Sequence, residues 1–201
     1  MKKASWFAGF ITLLVTTLAA AQAQAPAGVP VFKVTPGTSN IKFDVEASVA
    51  IAGTFKKWDA TLTFTSPKVT DSVLFIKIDA ASVDTGSGMK DSKLKSGDFF
   101  DVKKNPYITF KTTKVVQTGP NTFELDGDFT IRGVTRQEKL TLNLTGGKGT
   151  GHGTVTGTMA FDRKDYGMNS GIPFIKIANR VEVDVSLTAD RVSGPPVQFE
   201  K

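Results

Sequence analysis

The sequence predicts an all-β protein, an extended antiparallel barrel of eight long strands with a short helix in one connection. Three observations predict it. Apolar and polar residues alternate with period two through most of the chain from residue 40, which gives each strand one dry and one wet face. Clusters of Gly, Pro, Asn and Thr separate these runs at hairpin spacing. The runs are also long: strands of about ten residues extend roughly 33 Å, and an open sheet of that length presents a hazardous edge that closure removes. Hairpin connections suit a sandwich or a barrel, and strand length favours the barrel.

The elements follow in order. Lys2 and Lys3 precede a largely apolar run from Trp6 to Ala21, which ends in Ala21-Gln22-Ala23 and Ala23-Gln24-Ala25. Both triplets have the small-x-small form of a secretory cleavage site. The cut is expected after Ala23, because the later site would leave Pro26 directly after the scissile bond. A membrane anchor is the alternative, the run lying near the lower end of spanning length. Residues 1–23 are therefore expected to be a signal peptide, 24–190 one barrel domain and 191–201 a C-terminal tail, with the mature protein periplasmic or secreted.

Ile41, Phe43, Val45 and Ala47 share one face against Lys42, Asp44 and Glu46. Trp58, Ala60, Leu62 and Phe64 oppose Asp59, Thr61, Thr63 and Thr65, whereas residues 72–79 are apolar on both faces and are expected to be covered outside. The one convincing helix spans Gly88 to Ser96. A long strand then carries Phe123, Leu125, Gly127, Phe129 and Ile131 inward, followed by Leu140, Leu142 and Leu144, by Val155, Gly157, Met159 and Phe161, and by Val181, Val183, Val185, Leu187 and Ala189. Turns fall at 118–121, 132–135 and 146–153.

Composition narrows the function. There is no cysteine, so no disulfide framework or thiolate chemistry is available to an exported chain, and the fold stands on its core. The net charge of +6 falls to about +4 once the leader is removed. The lysines are scattered rather than gathered in a patch, which gives no nucleic-acid footprint.

The single histidine, His152, lies in a Gly-rich turn with no acidic residue near it in sequence and no second imidazole to share a metal. Those glycines fit a hairpin better than a phosphate loop, since no helix start follows. Asn143-Leu144-Thr145 matches a glycosylation sequon but lies inside a strand, and Asp98 and Asp101 are accounted for by turn formation. The protein is expected not to be an enzyme, with no catalytic residues, no metal and no cofactor.

Within the helical connection, Phe99 and Phe100 stand side by side where a surface loop should be polar. They must be buried against the protein's own core or against a bound apolar ligand. An eight-stranded barrel can be filled by side chains or hold one small ligand, and inward faces that are aliphatic and aromatic restrict that ligand to an apolar one.

Four blocks carry a family resemblance: SNIKFDVEASVAIAGTFKKWDATLTF, SVDTGSGMKDSKLKSGDFFDVKKNPYITF, FELDGDFTIRGVTRQEKLTLNL and FDRKDYGMNSGIPFIKIANRVEVDVSL. In order and spacing they resemble the YceI-like family of exported lipid-binding proteins. The resemblance implies an extended, lipocalin-like barrel with a helix-bearing connection near one end and a long isoprenoid chain inside. The family's usual Arg-Asp pair in that connection is Lys90-Asp91 here, and lysine lacks the bidentate fork of arginine. Asp91, Leu94, Phe99, Phe100, Pro106 and Phe110 stand where the family pattern has them.

On this resemblance the expected lipid-binding residues are Phe43, Trp58, Phe64, Phe75, Phe99, Phe100, Phe110, Phe129, Met159 and Phe161. The expected head-group residues are Asp91, Arg163, Tyr166 and Asn169. Bound polyisoprenoid, a quinone or a prenyl-lipid precursor, is the expected ligand. Further partners allowed for are a transient membrane or membrane-protein contact and a second copy in a homodimer. A structural or stress-related envelope protein with a self-filled barrel is the first alternative, and an enzyme acting on a prenyl lipid the second.

Overall fold

The computed structural model describes residues 28–145, 150–171 and 174–200. The expected signal peptide and residues 146–149 of the Gly-rich turn expected at 146–153 lie outside these. Among the described residues there are eleven strands: β1 (Val31–Val34), β2 (Asn40–Ala47), β3 (Ile51–Phe55), β4 (Trp58–Phe64), β5 (Ser72–Asp79), β6 (Val83–Asp84), β7 (Tyr107–Gln117), β8 (Thr122–Ile131), β9 (Val134–Thr145), β10 (His152–Asp162) and β11 (Ile177–Ser193). Helix α1 (Gly88–Lys95) lies between β6 and β7. The strands form one sheet in the order β4-β5-β7-β8-β9-β10-β11-β2-β3-β6, with β1 beside β11. All the ladders between strands are antiparallel.

The expected count of eight is thus corrected to eleven, and bends account for the difference. β3 and β4 are consecutive halves of one run, interrupted only at Lys56 and Lys57. A short 3-10 turn, Ala80–Ser82, divides β5 from β6, and another, Pro36–Thr38, precedes β2. The two interior bends are tied together: the Lys56 N–H donates to the Ser82 carbonyl at 3.0 Å and the Asp79 N–H to the Lys57 carbonyl at 3.0 Å. The Asp79 carboxylate accepts the Ala81 N–H at 2.9 Å and so caps the turn.

Because β4 begins the sheet order and its chain neighbour β3 stands near the other end, the sheet curls round until it meets itself. Beyond the bend β4 has lost β2, and β1 stands in that position. Its Phe32 ring meets that of Phe64 on β4 at 5.8 Å between centroids.

The interior follows from the alternation. Along β8, Phe123, Leu125, Phe129 and Ile131 are buried, and along β5 so are Leu74, Ile76 and Ile78. Gly127 leaves room that the neighbouring strand fills: a Cβ there would lie 2.5 Å from the Phe110 ring and 2.8 Å from the Lys111 carbonyl oxygen. β11 continues past the expected domain boundary at 190 to Ser193. The tail then crosses one barrel end, with the Val69 N–H donating to the Gln198 carbonyl at 2.9 Å and the Gln198 N–H to the Pro67 carbonyl at 2.8 Å. Phe199 packs on Phe123 with ring centroids 6.1 Å apart.

Candidate functional site

The connection from β6 to β7 is built to deliver two rings to the interior. The Asp91 carboxylate accepts the Thr85 N–H at 2.8 Å and the Thr85 hydroxyl at 2.7 Å, fixing the entry to α1. After the helix, the Phe100 N–H donates to the Leu94 carbonyl and the Asp101 N–H to that of Ser96, both at 2.9 Å. Asp101 takes a left-handed backbone, φ 49°, a conformation that aspartate tolerates better than most residues. The chain reverses there, leaving Phe99 5% and Phe100 8% exposed. Phe100 lies 6.0 Å from Phe55, and Phe55 lies 5.6 Å from Phe43, between ring centroids.

These rings border a cavity of about 120 Å³ at the helix-bearing end. Ile41, Phe43 and Val45 of β2, Ile51 and Phe55 of β3, Leu94 of α1, Phe129 and Ile131 of β8, Phe161 of β10 and Val181 and Val183 of β11 form much of its wall. Among the described residues, its only polar side chains are Lys90, Lys93 and Arg163, all cationic. Lys90 Nζ donates to the Ala50 carbonyl at 2.7 Å. Lys93 is ion-paired with Asp98, and this hydrogen bond, followed by the lysine charge itself, holds the Asp98 carboxyl below its ordinary value. Arg163 is buried and gives its protons to the backbone carbonyls of Ala178, Met168 and Ser170. Its charge is thereby solvated by dipoles rather than matched by an acid.

A second cavity, of about 140 Å³, lies at the opposite end, bordered by Phe32, Leu62, Phe64, Leu74, Phe123, Leu125 and Leu187 and by Val197 and Phe199 of the tail. On β5, β8 and β11 one inward position separates the two linings, Ile76, Gly127 and Val185, and on β7 and β10 two do, Phe110 with Thr112 and Gly157 with Met159. Ile76, Phe110, Met159 and Val185 are buried. The interior is therefore two apolar chambers divided by one packed layer.

Phe43, Phe99, Phe100, Phe129 and Phe161 border the helix-end chamber, and Phe64 borders the far one. Phe110 and Met159 belong to the dividing layer. Trp58 is half-buried beside a shallow recess with Thr54, Lys57 and Asp59. Phe75 is half-buried on the outer face of β5, because Leu74, Ile76 and Ile78 take the inward positions.

Among the four head-group candidates, Arg163 alone reaches the helix-end chamber. Asp91 is held by Thr85 beside a separate recess, and Asn169 is exposed. Tyr166 is wholly buried, packs edge-on against Phe129 and Phe161 at 5.4 and 5.3 Å, and donates its hydroxyl to Glu138 at 2.7 Å. Burial first, then the bond to Glu138, pushes the phenol well above its ordinary value, so it stays a protonated donor.

Sequence reasoning missed Phe55, Lys90 and Lys93. The Ile51-Gly53-Phe55 alternation was a usable signal for Phe55. Lys90 carried one as well, standing where the resembled family has the arginine of its Arg-Asp pair, whereas Lys93 gave none, since it enters the lining through an apolar stem.

A curled antiparallel barrel with apolar chambers and only cations at the rim of one of them defines the class of cavity-bearing, lipocalin-like β-barrels. A family model described as a YceI-like domain matches residues 32–189, and the chain belongs to that family. A UPF0312 protein of Pseudomonas savastanoi pv. phaseolicola is 32% identical over 140 residues, covering 68% of this chain and 71% of the relative. The crystal structure of Burkholderia cenocepacia BcnA superposes with a TM-score of 0.70 at 23% identity, covering 78% of this chain and 99% of that one. A polyisoprenoid binding domain from Saccharophagus degradans, implicated in plant cell wall breakdown, gives 0.65 at 16% identity, covering 81% and 99%. These two structures share the fold.

Proposed function

We propose that this protein is a binding protein, not an enzyme, and holds the apolar chain of a polyisoprenoid, a quinone or prenyl-lipid precursor, inside the barrel. It does so for sequestration, transport or storage in the periplasm or outside the cell. The observation that carries the reading is the helix-end chamber, whose lining is aliphatic and aromatic apart from Lys90, Lys93 and Arg163. The family membership and the likeness to a polyisoprenoid binding domain support it. A chain with no charge along its length is recognised by burial, at roughly 25 cal/mol per Å², so ~400 Å² gives about 10 kcal/mol before the cost of ordering.

One observation favours the rival, a structural envelope protein with a self-filled barrel. A chamber of about 120 Å³ is the size of an engineered cavity that admits benzene, so a chain of several isoprene units must displace the phenylalanines or the dividing layer. Native mass spectrometry of the detergent-free mature protein, with organic extraction, separates the two. An adduct whose homologues differ by isoprene units supports the carrier. A bare mass, unchanged after incubation with quinones and polyprenyl lipids, supports the self-filled barrel.

A further inference from the structure

Three large apolar side chains stand out at the helix-bearing end: Val49 is 46%, Met89 86% and Phe174 105% exposed. They belong to three separate connections. Val49 lies between β2 and β3, Met89 in the first turn of α1, and Phe174 in the approach to β11. All three surround the opening of the same chamber, since Val49 itself, Lys90 next to Met89 and Ile175 next to Phe174 belong to its lining. Backbone and side-chain bonds hold the connections together: Ser48 N–H to the Lys176 carbonyl at 3.0 Å, Lys176 N–H to Ser48 Oγ at 3.2 Å, and Lys90 Nζ to the Ala50 carbonyl at 2.7 Å. Single exposed apolar residues are ordinary on a protein surface. Three from separate connections around one chamber opening are a feature of that opening.

The charge around them has one sign in excess. Lys90, Lys93, Lys95 and Lys176 lie on these connections, and among the described residues neither Lys90 nor Lys176 is ion-paired. Of the carboxylates on these connections, Asp98 is bound by Lys93, Asp91 by Thr85, Asp101 by Lys104 and Asp165 by Arg136, while Glu46 is exposed on the outer wall of β2. Apolar anchors set among unpaired lysines match an anionic bilayer, whose interface accepts the former and whose phosphates attract the latter. No helix among the described residues is long and apolar enough to cross a membrane.

We propose that the helix-bearing end docks on an anionic phospholipid surface, with Met89 and Phe174 inserted at the interface and Lys90 and Lys176 against the head groups. The opening of the chamber then faces the membrane, and a water-insoluble chain passes between bilayer and barrel without crossing water. That consequence rests on the carrier reading, whereas the docking does not.

The test uses the mature full-length protein and co-sedimentation with vesicles of phosphatidylcholine and phosphatidylglycerol at roughly three to one, or of phosphatidylcholine alone. The Met89→Gln/Phe174→Asn variant removes both anchors while keeping a helix former at 89 and a residue tolerant of positive φ at 174. Wild type is expected to partition onto anionic vesicles and to be released by salt. The variant should partition on the order of tenfold less or lower, with co-purifying lipid, read by native mass spectrometry, unchanged. Equal sedimentation of variant and wild type overturns the docking. So does wild-type binding that is indifferent to lipid charge, or self-association through this face in sedimentation velocity without vesicle binding. Vesicle binding by a protein that carries no lipid leaves the docking standing and removes the carrier reading.

Discussion

Phe100 is fixed by its N–H on Leu94 and by its ring, 6.0 Å from Phe55, at the edge of a chamber with no acid among its described lining residues. A carboxylate placed there would stand among apolar side chains and, on the carrier reading, against the bound hydrocarbon chain. Phe100→Asp is therefore expected to abolish lipid retention on extraction while far-ultraviolet circular dichroism stays strand-like. Loss of the strand signal would show the ring to be a structural plug instead. Gly127 makes the opposite kind of prediction, about packing alone. Its missing Cβ is occupied by Phe110, and the Lys111 carbonyl behind it belongs to the ladder and cannot withdraw. Gly127→Ala should cost about 1–3 kcal/mol, the usual range for overpacking, read as a lower urea midpoint with an unchanged m-value. At this scale the sequence displayed the phenylalanines but not their separate duties. Period two assigns a residue to a face, and nothing in it distinguishes Phe129 beside a chamber from Phe110 filling the gap at a glycine.

At the scale of elements, the alternation was legible because a sheet with one wet face must write it into every strand, and β8 and β11 lie where that pattern predicts. The breaks at Lys56–Lys57 and Ala80–Ser82 were not legible, since they depend on bonds between two strands, Ser82 with Lys56 among them. Nor was the face of Phe75, in a strand apolar on both sides. The pairing of His152 with Asp190 was hidden for the same reason: 38 residues apart, they become neighbours only through the β10–β11 register. His152 Nδ1 stands 2.5 Å from Asp190 Oδ1, and this hydrogen bond is the main cause that lowers the Asp190 carboxyl. A carboxyl depressed in the folded state adds stability above its unfolded value, near 4, and that contribution is lost as pH falls through the folded value. His152→Ala should raise the Asp190 titration toward the ordinary range in carboxyl-carbon nuclear magnetic resonance and make acid unfolding begin at a higher pH. An unmoved Asp190 titration would mean that the pair does not form in solution.

For the whole molecule, the decisive feature is the layer of Ile76, Phe110, Met159 and Val185 between the two chambers. No one-dimensional pattern announces such a layer, because its members alternate inward like their neighbours, and the space that Gly127 leaves to Phe110 and Gly157 to Val185 depends on the pairing of strands. If the barrel carries a long chain, that chain must either stop at the layer or push through it, and Met159, with its flexible side chain, is the member best suited to move. Phe110→Ala removes the ring that fills the space at Gly127 and should join the chambers, so the variant is expected to retain longer prenyl homologues than wild type when both are offered the same mixture. Ligand that binds only the folded state stabilises it by about 2.7 kcal/mol at a hundredfold excess over Kd, which in a domain of this size is a rise of roughly 5–10 °C in melting temperature. In wild type that rise should level off at the chain length that fills the helix-end chamber, and in Phe110→Ala it should continue to longer chains, although the lipid-free variant itself melts lower because of the void. If both proteins respond alike to every chain length, the layer is no boundary to the ligand; if neither responds at all, the barrel is filled by its own side chains.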